Sequence, residues 1–214
     1  LESYVMNARG GSPIGAAFAQ DWNRLLSVDH ILRYIGRPAF PIFCFLLVQG
    51  FLHTSNVKKY AIRLGIFALI SEVPFDLALH IRPVHWQNQN VFFTLLIGLL
   101  AIWFMQSRGD GLVVRTVGLL AGAGLAEVLH ADYGAFGVAL IVVLYLFRNR
   151  KAAQCVLGAV CCAWEITAPL AFLPVWFYNG ERGRQPRWFF YWFYPVHLLL
   201  YSMVGMFVLP ALVL

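Results

Sequence analysis

The sequence predicts an all-α fold, a polytopic transmembrane helix bundle of about eight membrane segments. Three observations predict it. Of the 214 residues 60% are hydrophobic and only 12% charged, with a mean hydropathy of +0.69, far from the mix of a soluble domain. From Ile31 to Leu214 one apolar run follows another, separated by short connections. The acids and histidines that interrupt those runs gather toward one end of the predicted helices. A lipid-facing acid costs about 2.5 to 3.5 kcal/mol even on the gentler insertion scale, so such residues belong in a protein interior or a wet cavity.

Two parts divide the chain. Residues 1–28 form a polar N-terminal segment, expected to be truncated or partly disordered, since the chain opens on Leu1 rather than Met. Leu1 to Asn23 has neither a long apolar stretch nor a positive leader, so no cleavable signal peptide is expected. Residues 29–214 form one integral membrane domain, with apolar blocks at 38–52, 60–80, 91–106, 112–129, 134–147, 153–178 and 188–214. Each approaches or meets the ~20 residues a helix needs to cross hydrocarbon.

The first block is preceded or opened by Asp29, His30, Arg33 and Arg37, and contains Gln49. Lys58, Lys59 and Arg63 follow it. In the second, Glu72, Asp76 and His80 stand at i, i+4 and i+8, one helical face; an ion pair with Arg37 would satisfy Glu72 without any catalytic role. Asn90 and Thr94 open the third, which ends in a turn at Gln106 to Gly111. The fourth carries Gly118, Gly122 and Ala126 at four-residue spacing, a small-residue ridge that lets helices approach closely. Glu127, His130, Asp132 and Tyr133 close it, and the fifth follows the turn His130 to Gly134. The sixth is too long for one crossing, roughly 39 Å as a single helix. Ala168, Pro169 and Pro174 offer break points, so two short helices meeting near Glu165 to Pro169 are expected, with a re-entrant hairpin as the equivalent alternative. The last opens with an aromatic collar, Trp188 to Tyr194, suited to a membrane interface, and holds His197.

Charge gives the orientation. Lys58, Lys59, Arg63, Arg108, Arg115, Arg148, Arg150 and Lys151 fall in alternate connections, which places those connections in the cytoplasm. The polar ends of the blocks then form an outward-facing cup. The formal charge of +6 is spread over connections rather than along one helix, so no nucleic-acid partner is expected; membrane lipid is. Cys44, Cys155, Cys161 and Cys162 have no disulfide or zinc spacing and read as packing residues, and no metal is expected. There is no Walker loop, Gly-x-Ser-x-Gly elbow, His-Glu-x-x-His or Cys-x-x-Cys.

Six ordered stretches carry a resemblance. They are Ile35-Gly36-Arg37-Pro38-Ala39-Phe40-Pro41 with Gln49-Gly50-Phe51; Ser71-Glu72-Val73-Pro74-Phe75-Asp76; Asn90-Val91-Phe92-Phe93-Thr94; Ala131-Asp132-Tyr133-Gly134 with Gly137; Tyr178-Asn179-Gly180-Glu181-Arg182-Gly183; and Trp188-Phe189-Phe190-Tyr191 leading to Tyr194-Pro195-Val196-His197. Together they make most of residues 29–201 resemble the TraX family of bacterial integral membrane proteins, whose founding activity is N-terminal acetylation of conjugative pilin.

The resemblance implies an acyltransferase of the bacterial cytoplasmic membrane that takes an acetyl group from acetyl-CoA and delivers it to an amine or hydroxyl acceptor on the non-cytoplasmic side. Asp29-His30 looks like the family's Asp-His pair, which implies a catalytic or acyl-relaying histidine oriented by Asp29; His197 is the other candidate base. Arg37 is the candidate oxyanion stabiliser. Glu72, Asp76, Asn90, Asp132 and Tyr133 are candidates for binding the acceptor, which is a pilin-like peptide, an envelope glycan or a small molecule. Arg182, Arg184 and Asn179, with Lys151, would meet the phosphates of coenzyme A. A non-enzymatic carrier or channel, relaying a substrate or proton through the same acids and His197, is the alternative.

Overall fold

The structure, a computed structural model, describes residues 30–80, 88–109, 111–181 and 188–204. Among them every regular element is helical: α1 (Ala39–His53), α2 (Val57–His80), α3 (Val91–Arg108), α4 (Leu112–Val128), α5 (Gly134–Leu146), α6 (Lys151–Cys161), a 3₁₀ turn (Ala168–Ala171), α7 (Phe172–Phe177) and α8 (Phe189–Met203). Among the described residues two helical stretches, His30–His53 and Val91–Arg108, are long and apolar enough to cross a membrane. The chain packs as two units, residues 36–68 with 87–183 and residues 1–35 with 69–86 and 184–214.

At the centre of the larger unit lies α5. Its sequence is apolar all round, the signature of a helix enclosed by protein or lipid on every side, and Val138, Leu140, Ile141, Val142 and Leu144 are all buried. Helices α1, α3 and α5 run the same way. Their starts are joined by the Phe40–Tyr133 ring stack and by the Thr94 hydroxyl donating to the Asp132 carbonyl. Toward the other end, Phe51 meets Tyr145 edge-on at 5.7 Å.

Helix α4 enters through the expected ridge. Gly118, Gly122 and Ala126 are its buried residues, with Gly118 against Met105 and Gly122 against Ala101 and Val138. Leu112, Val113, Leu120 and Val128 on its remaining surface are exposed. Small residues thus buy close backbone approach, and the large apolar ones are left outside.

The long sixth block is broken where the prolines and Glu165 stand. Helix α6 stops at Cys161, residues 162–167 form an elbow of turns, and the 3₁₀ turn with α7 carries the chain back. Lys151 Nζ donates to the Tyr178 carbonyl at 2.8 Å, so the start of α6 and the end of α7 lie side by side. Gln154 Nε2 donates to the Leu144 carbonyl at 2.7 Å, anchoring α6 to the end of α5.

The smaller unit contains the second half of α2, with Ser71 and Asp76 buried and Pro74 inside the helix, together with α8. The first block begins earlier than its hydropathy predicts. Residues 30–36 are already helical, and a turn at Arg37–Pro38 leads into α1. Polar residues such as His30 and Arg33 lower the hydropathy of that stretch without opposing helix formation.

Candidate functional site: a charged cluster at a strained turn

Between α4 and α5 the chain reverses in five residues, 129–133. His130 (φ 51°) and Tyr133 (φ 63°) both lie in the left-handed region, which costs an L-residue about 1 to 2 kcal/mol. Hydrogen bonds over-determine that conformation. Ala131 N–H donates to the Ala126 carbonyl (2.9 Å), Asp132 N–H to Gln89 (2.8 Å) and Gln89 N–H to His130 (2.9 Å). Glu127 Oε1 caps α5 by accepting from Ala135 N–H at 2.8 Å. Strain held in this way clusters at functional sites.

The turn presents Asp132 and Tyr133. Oδ1 of Asp132 accepts from Tyr133 N–H at 3.1 Å. Burial, with a smaller push from the Glu165 charge, raises its carboxyl to about 6, against the opposing pull of the Tyr133 N–H and of Arg37. The Tyr133 ring stacks on Phe40 at 3.6 Å and 4°. Burial and then the neighbouring Asp132 push its phenol up to about 12.

Arg37, at the turn before α1, forms an ion pair with Glu165 of the elbow, Nη1 to Oε1. The Arg37 side chain is 35% exposed and that of Glu165 14%. One cation therefore faces two carboxylates, so its pull on Asp132 does not offset the burial that makes this acid hold its proton more tightly than an isolated one. Beside them lies a shallow dent of about 10 Å³, walled by Tyr133, Phe136, Cys162 and Trp164. Trp164 and Phe136 expose most of their faces to it and to solvent, with ring centroids 5.9 Å apart.

Of the candidates read from the sequence, Arg37, Asp132 and Tyr133 come together here. Asn90 belongs to the same unit but serves its framework: it is fully buried, its Oδ1 caps α3 by accepting from Phe92 N–H at 3.0 Å, and its Nδ2 donates to the Ala68 carbonyl at 2.7 Å. Asn179, also in this unit, is exposed; its Oδ1 accepts from Glu181 N–H at 3.0 Å, an Asx turn, and its Nδ2 donates to the Glu181 carboxylate at 3.2 Å. His30, Glu72, Asp76 and His197 belong to the smaller unit. His30 and His197 are exposed, Glu72 is half-buried and Asp76 is buried. Nδ1 of His197 lies 2.9 Å from the Phe193 carbonyl, which can only accept, so Nδ1 carries a proton and Nε2 is left for other chemistry. Asp29, Arg182 and Arg184 lie outside the described residues.

Glu165 was legible from the sequence as an acid inside an apolar block, but not as the partner of Arg37; Glu72 stood in that place. A 128-residue separation closes only because the elbow brings residues 162–167 back to the start of α1. Phe136 and Trp164 carried no signal beyond their hydrophobicity.

A family model described as "TraX protein" matches residues 20–205. The chain belongs to the TraX family. A probable fimbrial assembly protein of Dichelobacter nodosus, FimC of serogroup H1, is 30% identical over 206 residues, covering 82% of this chain and 83% of that relative. No solved structure matches. Family and spanning-length helices together make this TraX chain a membrane protein.

Proposed function

We propose that this TraX protein is a polytopic acyltransferase of the bacterial cytoplasmic membrane, moving an acetyl group from acetyl-CoA to an amine or hydroxyl acceptor presented on the non-cytoplasmic side. The observation that carries the reading is the cluster of Arg37, Glu165, Asp132 and Tyr133 on a strained, heavily bonded turn. Acyl transfer needs a cation where negative charge develops on the carbonyl oxygen and a proton acceptor near it. A guanidinium has five N–H donors. Glu165 engages Arg37 through Nη1, which orients the group and leaves donors for an oxyanion.

The remaining roles follow from family resemblance. His30, oriented by Asp29, is the candidate acyl carrier, with His197 as the other candidate. Glu72, Asp76 and Tyr133 would bind the acceptor, and Arg182, Arg184, Asn179 and Lys151 the donor's phosphates. The fimbrial assembly role in the name of the Dichelobacter nodosus relative supports a pilin-like peptide among the acceptors, beside an envelope glycan or a small molecule. Eight membrane segments are supported by the doubled-back sixth block and by the apolar outer surface of α4.

The test is transfer of label from radiolabelled acetyl-CoA to candidate peptides and glycans by the full chain in membranes. Wild type is expected to give labelled product, and Arg37→Ala to lose about 10²-fold or more, the size of a missing oxyanion donor. A carrier or channel would bind no acetyl-CoA and label nothing, and that result would overturn the reading.

A further inference from the structure

We propose that Asp132 is the catalytic base of this site, the group that takes the proton from the acceptor's attacking amine or hydroxyl. The inference rests on the acyltransferase reading and assigns a step that resemblance gives to a histidine. Three observations carry it.

First, Asp132 is held through its backbone and through one oxygen of its carboxylate. Its N–H is bonded to Gln89, its carbonyl to the Thr94 hydroxyl and its Oδ1 to the next N–H, while the left-handed Tyr133 beside it fixes the direction of the turn. General-base catalysis needs that kind of fixed geometry. Second, the charged groups facing Asp132 among the described residues come from other elements, Arg37 from the turn before α1 and Glu165 from the elbow, while its own turn adds the neutral Tyr133 phenol. The α3 side contributes only neutral Gln89 and Thr94. Arg37 is ion-paired with Glu165, and burial of the Asp132 carboxylate outweighs the pull that Arg37 exerts on it. Third, its titration point of about 6 lets it be an anion at neutral pH and still accept a proton readily, the condition for an effective base. Tyr133, pushed to about 12, stays protonated and cannot take the proton.

The step balances without another reactant. As the acceptor's nitrogen or oxygen forms its bond to the acyl carbon, its proton passes to the Asp132 carboxylate. Arg37 faces the resulting oxyanion. When the tetrahedral intermediate collapses, the bond to the donor's leaving group, a thiolate or an imidazole, breaks, and that group departs with the proton from Asp132.

The experiment compares the full-length wild type with Asp132→Asn and Asp132→Ala in the acetyl-transfer assay across about pH 5 to 8. Asp132→Asn keeps an oxygen for the Tyr133 N–H and is expected to lose about 10² to 10⁴-fold. Formate is expected to restore part of the Asp132→Ala rate, and wild-type rate to fall as pH drops through about 6. Asparagine activity within about 3-fold of wild type overturns the proposal, as does an alanine variant that folds but gains nothing from formate. If neither variant folds, the wild-type profile decides, a flat rate between about pH 5 and 7 overturning it. A wild type that labels no acceptor sinks the acyltransferase reading itself, and the base with it.

Discussion

The two turns at the ends of α5 are built on opposite plans. Before the helix, residues 129–133 hold two left-handed non-glycine residues, a carboxylate cap and bonds to the segment before α3. After it, residues 147–150 need no positive φ: Arg150 N–H donates to the Phe147 carbonyl at 2.8 Å, and the Arg148 guanidinium lies 4.2 Å over the Tyr145 ring while bonding that residue's carbonyl at 2.9 Å. Both turns join antiparallel neighbours, so topology alone does not require strain. The first is shaped around a charged cluster; the second is a connector held by its own local contacts.

The largest expected difference lies in pH dependence. The Asp132 carboxyl sits at about 6 in the folded chain against an ordinary 3.8, so the folded state binds its proton more tightly than the unfolded state. For an acid shifted upward, stability is greatest below about pH 4 and falls as pH rises through about 6. Roughly two units correspond to at most about 3 kcal/mol. Thermal unfolding of wild type minus Asp132→Asn should trace that loss, leaving the variant more stable at neutral pH. A difference that is flat from about pH 4 to 7 would mean that burying the Asp132 charge does not strain this turn, and the contrast with the 147–150 turn would go.

How much of this was readable in the sequence follows the range of the interaction involved. Apolar blocks gave the helices because burial of each depends on its own residues, and the Gly118–Gly122–Ala126 ridge gave the packing face of α4 because spacing alone defines it. The break in the sixth block was visible in Pro169 and Pro174, which lack the N–H a helix uses. Asn90 was legible as an opening residue, since asparagine is a favoured cap, but its second bond, to Ala68, spans 22 residues. Arg37–Glu165 spans 128. Nothing in a bulky aromatic such as Tyr133 announces positive φ; tertiary bonds and the Phe40 stack impose it.

A smaller effect tests those tertiary bonds. Thr94 is fully buried and donates to the Asp132 carbonyl. Thr94→Val removes the donor at nearly constant shape and leaves that carbonyl unsatisfied, a loss of about 1 to 2 kcal/mol. Because the bond fixes the Asp132 backbone rather than its charge, transfer activity should fall by about 10-fold while the pH at half-maximal rate stays put. A stability loss below about 0.3 kcal/mol in denaturant titration would show that the turn holds itself without α3.

The smallest effect belongs to the other turn. Arg148→Ala removes the stacked guanidinium over Tyr145 and its bond to the Tyr145 carbonyl. The ring stays packed against Phe51, and the helix-terminal carbonyl sits at a part-exposed edge where water replaces the lost donor. The expected loss is about 0.5 to 1 kcal/mol, independent of pH between about 4 and 7, with transfer activity unchanged. The pH independence matters more than the size, because no titrating carboxylate faces this arginine among the described contacts. An Arg148→Ala loss that grew with acid, or that equalled the Thr94→Val loss, would make the two turns alike in kind and remove the ground for treating one of them as a site.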